Sequence, residues 1–211
     1  MEPKRYNTEQ EKFWIDEFGT EYIARNNLSK DAVASRLAMW VKVFSSLSRR
    51  PESVLELGCN LGINLHAIKM LLPQAEITGV EINPQAAQEA RKIPGAEIVE
   101  ASIIEYEPGR KWDFVFTSGV LIHINPDFLP NVYSLMSRAS NQYICVAEYY
   151  NPNPVSIPYR GHADKLFKRD FASELLASAP DFELRDYGFV YRHDPLFSAD
   201  DLTWFLLKKK F

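Results

Sequence analysis

Two places in this chain have residue types and spacing that could do chemistry together. The segment Glu56-Leu57-Gly58-Cys59-Asn60-Leu61-Gly62 follows a short apolar run and precedes a helical one. Glycine at a strand-to-helix turn lets a ligand approach the backbone with no Cβ in the way, and the first N–H groups of the helix add partial positive charge. Nineteen residues past Gly62, Glu81 closes the next apolar run. A carboxylate at that spacing can accept both hydroxyls of a ribose. The glycines are spaced G-x-x-x-G, not the G-x-G-x-x-G that cradles a pyrophosphate, and Glu56 stands two positions before the first of them. A carboxylate there suits a ligand with a cationic amine. Adenosine, an amino-acid end and a positive charge together describe S-adenosylmethionine.

A second set of residues could handle an acceptor. His123 lies in the apolar stretch Leu121-Ile122-His123-Ile124, and Glu148 ends another apolar run. Both are candidate proton acceptors. After Glu148 come Tyr149 and Tyr150, then a proline-rich segment with Tyr159, Arg160, His162, Asp164 and Lys165. Prolines at 152, 154 and 158 predict a stiff loop forming a shaped wall, with these side chains as candidate substrate-binding groups. Acidic and tyrosine groups suit an amine or guanidine cation, and tyrosine hydroxyls equally suit sugar hydroxyls. Near the N-terminus, Trp14 and Tyr22 at i and i+8 form either a buried stripe or a lid over a cation. Arg25 could pair with a carboxylate of the ligand.

The elements that must position these groups follow from periodicity. Residues 9–25 read as an aromatic helix with a possible break at Gly19, and 30–48 as a second helix capped by Ser29. From residue 53 the pattern changes. Short apolar runs at 53–57, 76–81, 96–101, 112–118 and 142–149 alternate with helical stretches at 62–72, 84–92 and 126–139. That rhythm predicts a parallel sheet with helical crossovers. A helix at 168–179 and strands at 182–192 and 201–209 follow. No helix fits between the last two strands, so they should pair antiparallel. The expected division is an N-terminal helical cap over residues 1–50 and a ligand-binding domain over 51–211.

Composition excludes several classes. The 211 residues carry 24 Lys+Arg and 28 Asp+Glu, a net charge of −4, which speaks against a nucleic-acid partner. No apolar run is long enough to span a membrane and the N-terminus has no signal-peptide pattern. Cys59 and Cys145 are the two cysteines and form no CxxC, so a reducing cytoplasm is expected and no metal site is.

The loop at 56–62, Glu81 and the terminal strand pair resemble the class I S-adenosylmethionine-dependent methyltransferases. Several stretches resemble one branch, the methyltransferases associated with pseudaminic acid biosynthesis: 13–26, 56–65, 78–83, 119–127, 147–176 and 200–207. The resemblance implies a Rossmann-like α/β sheet of seven strands in the order 3-2-1-4-5-7-6, strand 7 antiparallel. It implies that Gly58, Cys59, Asn60 and Gly62 face the methionine part of the cofactor, that Glu81 holds the ribose, and that Ile82, Ser102 and Ile103 contact the adenine. Thr117, Ser118 and Gly119 would line the methyl side. Asn60 replaces the middle glycine usual in the superfamily, and Asn tolerates a left-handed backbone better than other side chains. Asn151-Pro152-Asn153-Pro154 resembles a motif of amino-group methyltransferases but follows strand five, where that motif follows strand four. The expected activity is methyl transfer to an amino or hydroxyl group of a small molecule. The alternatives are an NAD-dependent oxidoreductase and a non-catalytic cofactor-binding partner, and the N-terminal helix offers a dimer interface as an alternative to a lid.

Overall fold

The computed structural model describes residues 6–25 and 29–210. The N-terminal helix begins as α1, Glu9–Ile15, on a capping box: the Glu11 N–H donates to Thr8 Oγ1 at 3.1 Å and the Glu11 carboxylate accepts from the Thr8 N–H at 3.0 Å. The helix breaks at Asp16, whose backbone is extended, and resumes as α2, Glu17–Arg25. The expected break at Gly19 is absent. Gly19 sits inside α2, where a Cβ would lie within 3 Å of the Trp14 carbonyl and the Asn83 side chain, so glycine there allows the two short helices to fold back on each other.

Helix α3, Lys30–Ser45, is capped by Ser29 as expected. Its Trp40 is fully buried, with ring centroids 5.9 Å from Phe114 and 4.5 Å from Phe116. Of the residues expected as a cap, α3 is therefore built into the core, and α1 with α2 form the cover.

The alternating region follows the predicted rhythm: β1 Ser53–Leu57, α4 Ile63–Leu71, β2 Glu76–Glu81, α5 Pro84–Ala90, β3 Ala96–Glu100 and β4 Trp112–Ser118. Short 3-10 turns at Leu121–His123 and Pro126–Phe128 lead into α6, Leu129–Ala139, and β5, Ser140–Glu148. Hairpin strands β6, Val155–Tyr159, and β7, His162–Lys168, precede α7, Phe171–Ser178, then β8, Phe182–Val190, and β9, Leu202–Lys209. The main sheet has seven strands in the order β3-β2-β1-β4-β5-β9-β8, parallel except where β9 runs antiparallel to β5 and β8. This is the predicted Rossmann-like topology. Alternate residues of β4 feed two cores: Phe114 and Phe116 face α3 and α4, whereas Val115 faces α6 and α7.

Residues 150–168 are not the proline-stiffened loop that was expected. β6 and β7 form a separate antiparallel hairpin, turned through Arg160 and Gly161 at φ 49° and 86°. Pro158 is accommodated because the register shifts between Ile157 and Tyr159, and a shift needs no N–H from that position. No helix among the described residues is long and apolar enough to cross a membrane, and no cluster of three His, Cys, Asp or Glu among them could hold a metal.

Candidate active site

In this sheet the strand order reverses between β1 and β4, and ligands of doubly wound sheets sit beyond the C-terminal strand ends at such a point. A cleft of about 770 Å³, its mouth to solvent included, opens there. That is in the size range of small-molecule sites.

Its floor is the glycine loop. Gly58 has φ +77° and a Cβ there would fall 2.7 Å from a Val120 methyl, so glycine is required on two counts. Asn60 also has positive φ, 48°, and its Oδ1 accepts from the Leu61 N–H at 2.8 Å. Glu81 is 6 % exposed at the end of β2. One carboxylate oxygen accepts from the Asn60 N–H and the other from the Asn83 N–H, each at 2.7 Å. Burial raises its pKa while these N–H donors oppose the shift. Each oxygen keeps a lone pair for a further donor. Ile82, Ser102 and Ile103 continue the wall from the ends of β2 and β3, and Ser118 and Gly119 from β4. A Cβ on Gly119 would meet nothing within 4 Å, which marks open space at the end of that strand.

Four of the predicted cofactor residues do not line the cleft. Glu56 is 1 % exposed below the loop. Its Oε1 accepts from Asn64 Nδ2 at 2.7 Å, and Asn64 Oδ1 in turn accepts from Trp40 Nε1 at 3.1 Å. Its Oε2 is buried with no partner among the described residues, and burial holds its pKa well above the carboxylate range. Cys59 is a buried, passive thiol, its pKa raised by burial. Thr117 is fully buried. Gly62 serves packing: a Cβ would lie 2.4 Å from the Ile93 side chain.

The cover brings Trp14 and Tyr22 to the cleft, their rings 5.2 Å apart and edge-on. Asn83, the cap of α5, donates to the Trp14 carbonyl at 2.8 Å and ties the cover to the body. Burial, with Tyr159 and Asp200 nearby, pushes the Tyr22 phenol up to about 12, so its hydroxyl stays protonated. Arg25 ends α2, and its side chain lies outside the described residues. Gln10 and Glu11 also line the cleft and were missed. The sequence signal for Glu11 was available in Thr8-x-x-Glu11, a capping-box spacing. Glu11 also accepts from Ser102 Oγ, joining α1 to the end of β3.

His123 lines the cleft and is 8 % exposed. Its Nδ1 lies 2.6 Å from the Lys165 carbonyl. A carbonyl only accepts, so Nδ1 carries the proton and Nε2 keeps the lone pair. Burial lowers its pKa to about 4, so the ring is neutral near pH 7. Glu148 does not line the cleft. Its carboxylate accepts from the N–H groups of Val120 and Leu121 at 3.1 Å each and of Ile122 at 3.4 Å. It organises the turn that presents His123, which removes it as the expected proton acceptor.

The predicted substrate wall is dispersed in the same way. Tyr159 stands behind His123 at 4.9 Å, ring to ring. His162 contacts Phe13, the Asp164 carbonyl accepts from Gln10 Nε2 at 3.0 Å, and Lys165 Nζ donates to the Glu9 carbonyl at 3.1 Å. These residues brace the cover. Arg160 lies at the hairpin turn beside Tyr159. Tyr149 is half-buried against Lys168, and Tyr150 is exposed beside Phe205.

A seven-stranded sheet of this order, with an antiparallel final strand and a cleft at its switch point, defines the Rossmann-like fold of the methyltransferase type. Comparison with known proteins agrees. Residues 55–140 match the family described as a methyltransferase domain. Trans-aconitate 2-methyltransferase of Escherichia coli (strain K12 / DH10B) is 33 % identical over 85 residues, 40 % of this chain and 32 % of the relative. The chain thus matches about a third of the length of its curated relatives. Among solved structures, magnesium protoporphyrin IX methyltransferase of Synechocystis PCC 6803 with bound SAH superposes with a TM-score of 0.67 at 15 % identity, over 96 % of this chain and 100 % of that one. CalS10, an amino pentose methyltransferase from Micromonospora echinaspora, gives 0.60 at 12 % identity, over 91 % and 95 %. At such identities the likeness is one of fold.

Proposed function

We propose that this protein is an S-adenosylmethionine-dependent methyltransferase acting on an amino or hydroxyl group of a small molecule. The observation that carries the reading is Glu81: a buried carboxylate at the end of β2, held by the glycine loop through the Asn60 N–H, with acceptor capacity left over. The matched methyltransferase domain and the SAH-bound neighbours support it.

The residues present fit the cofactor. Glu81 would accept the ribose hydroxyls, Ile82 and Ile103 offer apolar faces to a flat base, and Gly119 leaves space at the end of β4. When bound, S-adenosylmethionine would supply an activated methyl group for transfer to the acceptor's lone pair. The protein's own part is positioning, which is worth roughly 7–11 kcal/mol in well-oriented systems. Trp14 and Tyr22 exclude water from above. His123 Nε2 accepts the N–H or O–H of the incoming group and orients its lone pair.

An aminosugar-related acceptor is the finer reading that the resemblance adds, and the two buried free cysteines suit a reducing cytoplasm. The test is calorimetric titration with SAH, followed by a screen for SAH release from S-adenosylmethionine with amines, guanidines and aminosugars. Absence of SAH binding by the wild-type protein would overturn the proposal.

A further inference from the structure

The part of the cleft lined by Gln10 and His123 is chemically one-sided. Gln10 is 8 % exposed there, and its amide nitrogen donates to the Asp164 carbonyl. That bond settles which end of the amide is oxygen. The oxygen, Oε1, is buried and has no hydrogen-bond partner among the described residues. His123 repeats the pattern one residue further along the hairpin: Nδ1 is engaged by the Lys165 carbonyl, and Nε2 is left as an acceptor. Two side chains that line the cleft therefore carry neutral acceptors, each anchored through its donor side to one of two consecutive hairpin carbonyls. Trp14, 4.7 Å from the His123 ring, adds an aromatic face.

The charged lining groups have the same bias. Glu11 and Glu81 are carboxylates, and no Lys or Arg lines the cleft among the described residues. Arg36 and Arg160 act on Tyr22 from outside the lining. Buried acceptors are ordinarily satisfied, and an aromatic face favours a cation over an anion. A carboxylate acceptor would meet Glu11, Glu81 and these two lone pairs with no Lys or Arg among the described lining residues to balance its charge, the arrangement that disfavours a wrong ligand.

Resting on the methyl-transfer reading, we propose that the methyl acceptor is an amine whose N–H groups are received by Gln10 Oε1 and His123 Nε2 beside Trp14, and that this part of the cleft discriminates against carboxylate acceptors. Gln10 is the specificity residue.

The test uses the full chain saturated with SAH and matched probes: tyramine against 4-hydroxyphenylacetate and glucosamine against glucuronate, with trans-aconitate as a further carboxylate. The expected result is that an amine binds at least about tenfold more tightly than its matched carboxylate. Gln10→Leu is expected to lose about tenfold in amine affinity. The wild-type comparison of amine with matched carboxylate needs no variant, and it carries the test if the leucine variant does not fold. Equal or tighter binding of the carboxylates, no binding of any amine probe, or unaltered amine affinity in Gln10→Leu would each overturn the proposal. SAH binding in the same titrations separates the two readings. Its loss in the wild type defeats the methyltransferase assignment, and its presence without amine preference defeats only this inference.

Discussion

The backbone N–H of Asn60 donates to the Glu81 carboxylate at 2.7 Å, so the ligand-facing loop after β1 is locked to the end of β2 by a residue that also faces the cleft. Removing the carboxylate therefore does two things. Glu81→Ala is expected to weaken SAH binding by tenfold or more, about 1.4 kcal/mol or greater. It should also cost about 1–3 kcal/mol of stability, because the Asn60 and Asn83 N–H groups lose their acceptor. Glu81→Gln keeps an acceptor for one of them and should recover part of the stability. Calorimetry and urea unfolding measure the two effects separately, and undiminished SAH affinity in Glu81→Ala would remove the residue from the binding site.

Gly58 makes a similar double demand. Gly58→Ala pays for a left-handed backbone, about 1–2 kcal/mol, and for a Cβ against Val120. Adding Val120→Ala should relieve the clash and leave the backbone cost. A double-mutant cycle in urea should therefore show positive coupling between the two sites, and additive losses would mean that Val120 moves aside freely.

Glu148 predicts a pH dependence. Burial raises its pKa to about 7, above that of the unfolded chain. Between about pH 4.5 and 7 the folded state binds the proton that the unfolded state has released, so this residue's contribution is full below about pH 4.5 and falls as pH rises through 7. Plotted against pH, the stability of the wild type minus that of Glu148→Gln should decline across that window. A flat difference would show that the carboxylate titrates normally. Glu148→Ala, which orphans the N–H groups of Val120 and Leu121, should cost about 2–3 kcal/mol.

His123 has the opposite sign. Its folded pKa of about 4 lies below the ordinary value, so the unfolded chain binds the extra proton between about pH 4 and 6.5 and the residue costs stability as pH falls through that range. Its ring signals in NMR should stay those of the neutral Nδ1–H tautomer down to about pH 5. A titration midpoint near 6.5 would contradict the buried placement.

The sheet was legible because each of its features has a local cause. Buried parallel strands are short apolar runs, and Pro84 and Pro126 mark helical starts. Glu81 was legible from its distance to the loop. The hairpin was not, because its strands are half-exposed and carry Pro158, and such strands have neither apolar continuity nor clean alternation. Glu148 was misread for a related reason: an acidic side chain at a strand end looks the same in sequence whether it faces a ligand or three backbone N–H groups. Gln10 lay hidden in a polar run, Glu9-Gln10-Glu11-Lys12, which reads as a solvent face until the hairpin covers it.

The hairpin stands outside the main sheet, yet its Asp164 and Lys165 carbonyls hold Gln10 and His123, and its Lys165 ammonium holds α1. The floor of the cleft comes from residues 58–119 and does not depend on it. The hairpin is itself rooted in the core through Leu166, so a ribbon that puts no residue of its own into the lining still fixes how Gln10 and His123 are presented there.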